Sequence, residues 1–195
     1  MNKTRRFSLL SCLVMLFAAL SLTGCLAKNE VKLLYDAGVQ QAVPSATAPR
    51  IVVVQYEDKR DTTELGLRKD GTVFQTSSGV ASWVTQALAD ELAARGAQVS
   101  VALSMAQAQL NQPQYIVGGV VERVKLTEKS LTTYQAEIRI QTQLQSNTET
   151  ALTRSFTAQQ EKTGIPGAKL AEETLSGALA EALRGATQSI FGNLR

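Results

Sequence analysis

Between Tyr134 and Gln145 the sequence alternates without a break. Tyr134, Ala136, Ile138, Ile140, Thr142 and Leu144 take one register, and Gln135, Glu137, Arg139, Gln141, Gln143 and Gln145 take the other. A period of two over twelve positions is incompatible with a helix and places one face in a core and one in water. This segment is expected to be a strand within a meander. The apolar run Tyr115 to Val121 precedes it in a strand from Gln114 to Leu126, and Ala151 to Gln160 returns after a turn at Ser146-Asn147-Thr148. Ile51 to Tyr56 reads as a buried β-branched strand, and Gln98 to Leu103 as another. Asp70-Gly71 marks a turn, with a short hairpin through Thr72 to Gln75.

Helical spacing appears twice. Val80, Trp83, Val84, Ala87, Leu88 and Leu92 share one face of a helix from Gly79 to Arg95, with Ser78 as the expected N-cap and Gly96 at the C-terminal turn. Trp83 falls on the core side of that face. Pro166 and Gly167 open a second helix running to about Phe191, with a buried stripe of Ala171, Leu175, Ala178, Leu179, Ala182, Leu183, Ala186 and Ile190. Ser104 to Asn111 is a short helix or loop. The expected fold class is α/β of the α+β type. It is a two-layer domain with a mostly antiparallel sheet of about five strands and two main helices on one face.

The N-terminus has a different organisation. Residues 1–6 are mostly polar and basic, and Phe7 to Leu22 is almost wholly apolar, interrupted by Ser8, Ser11, Cys12 and Ser21. That run is slightly short for a membrane span, which needs about 17–25 residues. A basic head, an apolar centre and a small-residue end are the parts of a secretory signal peptide. The end, Leu22-Thr23-Gly24-Cys25, resembles the lipobox of bacterial lipoproteins. That resemblance implies cleavage between Gly24 and Cys25, diacylglycerol on the Cys25 thiol and acylation of the new amino group. Several chains hold far better than one. Residue 26 is Leu, whereas Asp there would resemble an inner-membrane retention signal, so the expected address is the periplasmic face of a Gram-negative outer membrane. The expected layout is a signal peptide over 1–24, a lipidated and flexible tether over 25–49, with Val31 to Tyr35 as a candidate short strand within it, and a single periplasmic domain over 50–195.

Charge and composition narrow the chemistry. The chain carries 20 Lys plus Arg against 17 Asp plus Glu. Lys3, Arg5 and Arg6 lie in the segment expected to be removed, which leaves 17 of each sign and no basic signal for nucleic acid. With no His and only Cys12 and Cys25, histidine-dependent catalysis and ordinary zinc sites are excluded. No catalytic residue, cofactor or metal ligand is expected, and the chain reads as a non-enzyme. Glu57 to Glu64 holds four carboxylates but lacks the spacing and central Gly of a calcium loop. It reads as a solvated, salt-bridged loop or as a partner-contact loop. Gly118 and Gly119 lie within an apolar strand, where they mark a bulge or the close approach of a helix rather than a phosphate loop. The small residues of the last helix suit close packing on the domain's own sheet. An oligomer interface is the other use, and with the polar register 135–145 they are the surfaces available to a homo-oligomer.

Several of these features together resemble the YajG-like family of outer-membrane lipoproteins. They are the lipobox, the strand Ile51 to Tyr56 leading into Asp58-Lys59-Arg60, and Gly66 within Leu65-Gly66-Leu67. The helix closed by Gly96-Ala97-Gln98-Val99 and the late helix after a meander complete the set. The resemblance covers most of residues 25–190 and singles out Asp58, Arg60 and Gly66 as a contact loop. It implies an envelope lipoprotein anchored in lipid through Cys25, with an envelope-protein or cell-wall partner and no stated mechanism. A similar order of elements is seen in auxiliary lipoproteins of ABC-type lipid transport and in ring-forming secretion lipoproteins. These supply the alternative, an auxiliary or oligomeric component of an envelope transport or secretion system.

Overall fold

The computed structural model describes residues 29–38, 43–146 and 149–194. The signal segment, Gly24, Cys25 and the turn residues Asn147 and Thr148 lie outside them. The elements run β1 (Arg50–Val54), β2 (Glu57–Asp58), β3 (Gly66–Leu67), β4 (Val73–Phe74), α1 (Val80–Ala94), β5 (Gln98–Ala102), α2 (Met105–Leu110), β6 (Tyr115–Ser130), β7 (Thr133–Ser146), β8 (Glu149–Thr163) and α3 (Ala168–Gly192).

The alternating segment is β7, in the middle of a long meander. It pairs antiparallel with β6 on one side and β8 on the other. Tyr134, Ala136, Ile138, Ile140, Thr142 and Leu144 are all buried, as the period of two requires. Helices α1 and α3 cover that face. Their stripes, from Val80 to Leu92 and from Leu170 to Ile190, join the inward residues of the sheet in one core.

The sheet is mixed and has eight strands, which corrects the expectation of about five mostly antiparallel ones. The far edge of β6 carries three short strands in succession. β1, β2 and β3 each pair with it in parallel, and β1 in turn pairs in parallel with β5. Periodicity reports which face of a strand is buried but not which neighbour it takes or in what direction. Parallel neighbours need a crossover connection, and α1 supplies it between β1 and β5. The unbroken run Ile51-Val52-Val53 is explained by the same arrangement, because β1 is buried on both faces. Ile51 and Val53 point into the main core, whereas Val52 joins Ala102, Ala108 and Ile116 in a small second core that includes α2.

One local expectation shifts. Helix α1 starts after Gly79 without a side-chain cap, so Ser78 is not its N-cap; the Ser78 N–H is instead held by Thr76 Oγ1 at 3.1 Å. The segment Ser104 to Asn111, expected as a short helix or loop, is helix α2, and Ser104 caps it by accepting from the Gln107 N–H.

The larger correction concerns the tether. Residues 29–36 lie along the domain instead of reaching away from it. Val31 and Leu33 are buried, the Val31 N–H donates to Gln75 O at 2.8 Å, and the Gln75 N–H donates to Asn29 O at 3.0 Å. Further along, the Trp83 indole N–H donates to Leu34 O at 3.2 Å. The Tyr35 hydroxyl donates to Glu91 Oε1 at 2.5 Å. At the other end of the expected tether, the Gln98 N–H donates to Pro49 O. Val31 and Leu33 alternate like strand residues, and the sheet edge at β4 and the α1 surface give them apolar cover that a flexible linker would lack.

Candidate functional site

Asp58, Arg60 and Gly66 come together in one corner, at the outer edge of β6. Asp58 ends β2, and the next N–H, of Lys59, donates to Val121 O at 2.9 Å. The chain then turns so that Arg60 folds back on Asp58. Arg60 Nε and Nη2 donate to Oδ1 and Oδ2, both at 2.9 Å, and Nη1 reaches Glu64 O at 3.4 Å. This two-point fork is the strong form of an arginine–carboxylate pair. The Arg60 hydrogen bonds hold the Asp58 carboxyl below its ordinary range, against a smaller opposing effect of burial. The Arg60 side chain is only 7% exposed. The pair therefore braces the loop 59–64, and its donors are already committed.

Gly66 is fixed for a different reason. Its φ is +144°, and a Cβ there would lie 1.9 Å from Leu126 O. Only glycine lets β3 approach β6 this closely. With Asp61, Thr62, Glu122, Arg123 and Lys125, Arg60 and Gly66 line an open groove of about 330 Å³, and Asp58 acts on it through Arg60. Arg123 pairs with Glu137 at 3.2 Å, and Arg139 pairs with Glu122 at 2.7 Å. The groove thus presents charges of both signs on a rigid sheet, a surface suited to a polar protein contact.

A second constellation was not found in the sequence. Arg68, after β3, donates through Nε to Glu128 Oε2 at 3.1 Å and through Nη1 to Asn29 Oδ1 at 2.9 Å. The Lys69 N–H also reaches Glu128 Oε2, at 3.3 Å. Arg68 lies over the Phe74 ring at 5.8 Å, and that ring packs on Tyr134 with centroids 5.9 Å apart. Burial, then the charge of Glu128, raises the Tyr134 phenol above its ordinary range. Glu128 continues the buried register of Val124 and Leu126, where an acid needs a partner that no local pattern names. Its burial comes from the β3–β4 hairpin folding beside it.

The stripe of small residues on α3 is occupied by the domain itself. Ala171, Ala178, Ala182 and Ala186 are buried, and added Cβ atoms at Gly177 and Gly185 would meet Gln160 and Phe156 of β8 at 3.2 and 3.1 Å. Gly119 serves a similar end. A Cβ there would lie 2.0 Å from Gln141 O and 2.8 Å from the Tyr56 ring, so the close approach is by Tyr56 and the β7 backbone, not by a helix. Among the described residues no cluster of three or more Cys, Asp or Glu is placed to hold a metal ion. No described helix is long and apolar enough to cross a membrane.

Fold and corner together define a mixed-sheet α+β domain with its N-terminal segment docked along it. This architecture is shared with solved structures. The chain is similar to XCC0632 from Xanthomonas campestris, a DUF330 protein, at 13% identity over 84% of this chain and 91% of that one, with a TM-score of 0.51. An uncharacterized protein is similar at 13% identity over 84% and 99% of the two chains, TM-score 0.54. The hypothetical protein CT253 from Chlamydia trachomatis is similar at 12% identity over 75% and 98%, TM-score 0.50. At these identities the likeness is one of fold, and it does not single out the YajG-like family. No protein-family model and no curated protein matches the sequence.

Proposed function

We propose that this chain is a bacterial envelope lipoprotein, held at the periplasmic face of the outer membrane by acylated Cys25. Its domain binds a protein or cell-wall partner and catalyses no reaction. The observation that carries this reading is the order of basic head, apolar run and Leu22-Thr23-Gly24-Cys25, set directly before a docked segment that starts at Asn29. Only residues 26–28 separate the lipid cysteine from the folded domain. The groove beside Asp58, Arg60 and Gly66 is its contact surface, because rigid strands present its loop and the Asp58–Arg60 brace fixes the loop's shape. Fractionation of cells carrying Cys25→Ser tests the anchor. The variant is expected to leave the membrane; one that still sediments with the outer membrane overturns the reading.

A second reading, an oligomeric component of an envelope transport or secretion system, is favoured by the two ends of the sheet. Among the described strands β5 pairs only with β1 and β8 only with β7. Two open edges on one molecule can pair head to tail and close a ring. Mass measurement of the detergent-solubilised protein separates the readings: a closed oligomer supports this one, and a monomer at all concentrations removes it.

A further inference from the structure

Three loops and the start of the docked segment gather at one end of the sheet. The β6–β7 turn carries Leu131, 72% exposed, and the β8–α3 loop carries Ile165, 89% exposed. The Gly164 N–H donates to Thr132 O at 2.9 Å, so the two apolar tips stand side by side. The β3–β4 turn reaches the same end, because β3 runs parallel to β6 with Leu67 opposite Thr127. Arg68 then holds Asn29 there, through the network with Glu128. The described chain therefore starts at the end that bears Leu131 and Ile165.

Single exposed apolar side chains are ordinary. What distinguishes these two is where the chain leads. Three residues separate Asn29 from Cys25, and four extended steps span at most about 14 Å. A lipid-anchored Cys25 therefore draws this end of the domain, and not the opposite one, against the bilayer. Lys69, Lys129 and Lys169 are exposed around the tips. Of the acids nearby, Glu128 is paired with Arg68 and Glu173 with Lys162 and Lys169, while Asp70, held by the Thr72 N–H and hydroxyl, keeps its charge. Apolar tips ringed by lysines suit an interface of acyl chains and anionic phosphates.

We infer that the end formed by the 68–72, 130–133 and 164–167 loops is a membrane-docking surface, with Leu131 and Ile165 entering the headgroup–acyl boundary of the bilayer that holds Cys25. This rests on the reading that Cys25 is acylated. It gives the domain a fixed orientation, with β6 rising from the membrane. Leu103 and Leu110, also exposed, then lie well back from it. Ala102 is level with Gly118 through β1, twelve residues before Ser130, or roughly 40 Å down the strand.

Single substitutions Leu131→Cys, Ile165→Cys, Leu103→Cys and Leu110→Cys in the full chain, each labelled with bimane, test this. The purified proteins are reconstituted into vesicles of phosphatidylethanolamine and phosphatidylglycerol. Labels at 131 and 165 are expected to be quenched by doxyl-labelled lipid and to be several-fold less accessible to acrylamide than those at 103 and 110. Equal quenching at all four positions, with an acylated Cys25 found by mass in the same samples, overturns the docking surface and leaves the anchor standing. An unmodified Cys25 with no vesicle association overturns both. If a label at 131 or 165 lowers the melting temperature, Thr132→Cys and Pro166→Cys, exposed beside them, take the same readings.

Discussion

The Arg68 guanidinium lies 3.1 Å from the Glu128 carboxylate, and Glu128 has a side chain only 4% exposed. The same guanidinium also holds Asn29. One arginine thus neutralises a buried acid at the end of β6 and fixes the first described residue of the chain. Arg68→Ala leaves that acid buried without a counter-charge. Breaking a fully buried pair costs about 3–5 kcal/mol, and the partial exposure of Arg68 brings the expected loss to about 2–3 kcal/mol. Urea denaturation of the wild type and the variant measures it. Hydrogen exchange at Val31 should rise in the variant, because the segment loses its first clamp.

Gly66→Ala and Gly71→Ala separate two uses of glycine. Both residues have positive φ, +144° and +84°. A Cβ at Gly71 meets nothing within 4 Å, whereas one at Gly66 strikes the backbone of Leu126. The Gly71 variant is expected to lose about 1 kcal/mol from backbone strain alone. The Gly66 variant is expected to lose more than about 3 kcal/mol, because β3 must leave β6. Thermal melts of the two variants check the order.

Much of this architecture could be read from the sequence, and the exceptions have a common cause. The inward register of β7, the faces of α1 and α3 and the core position of Trp83 follow from spacing, because the side chains carrying the signal also make the contact. Partners distant in sequence are invisible to spacing. β1 could be seen as buried, but nothing in Ile51-Val52-Val53 says that it lies between two parallel neighbours. Val31 to Tyr35 has the makings of a short strand, but it is brief and followed by an uncharged, proline-containing stretch, so it reads as part of a tether until α1 and Gln75 are seen beside it. Asp58 and Arg60 sit two apart and could be paired on sight, while Glu128 needs a hairpin sixty residues earlier to bury it.

The Tyr56 hydroxyl and the Thr142 hydroxyl lie 2.8 Å apart in the core, and Thr142 is fully buried. Tyr56→Phe leaves the Thr142 hydroxyl without this partner and is expected to cost about 1–2 kcal/mol. Adding Thr142→Val should recover part of that loss, since both polar groups are then gone. A double-mutant cycle by chemical denaturation gives the coupling, and strict additivity would contradict the bond.

The Asp58–Arg60 brace carries a pH dependence of defined sign. Asp58 is held below the usual carboxylate range chiefly by its side-chain hydrogen bonds from Arg60. Its contribution is therefore complete above the unfolded value of about 3.9 and is lost as pH falls through the lower folded value. Solvent screening keeps it to at most about 1 kcal/mol. Amide signals of residues 59–64 followed by NMR should report the loop loosening in that acidic window. Asp58→Asn should abolish the transition, and an unchanged profile in that variant would assign it to another acid.

The anchor and the orientation of the domain both follow from the chemistry at Cys25. Mass spectrometry of the N-terminal peptide, taken from membranes of a Gram-negative host expressing the full chain, reads that chemistry directly. The expected species begins at Cys25 and carries diacylglycerol on sulfur and an acyl chain on nitrogen. A peptide that retains residues 1–24, or begins elsewhere with Cys25 as a free thiol, would contradict it.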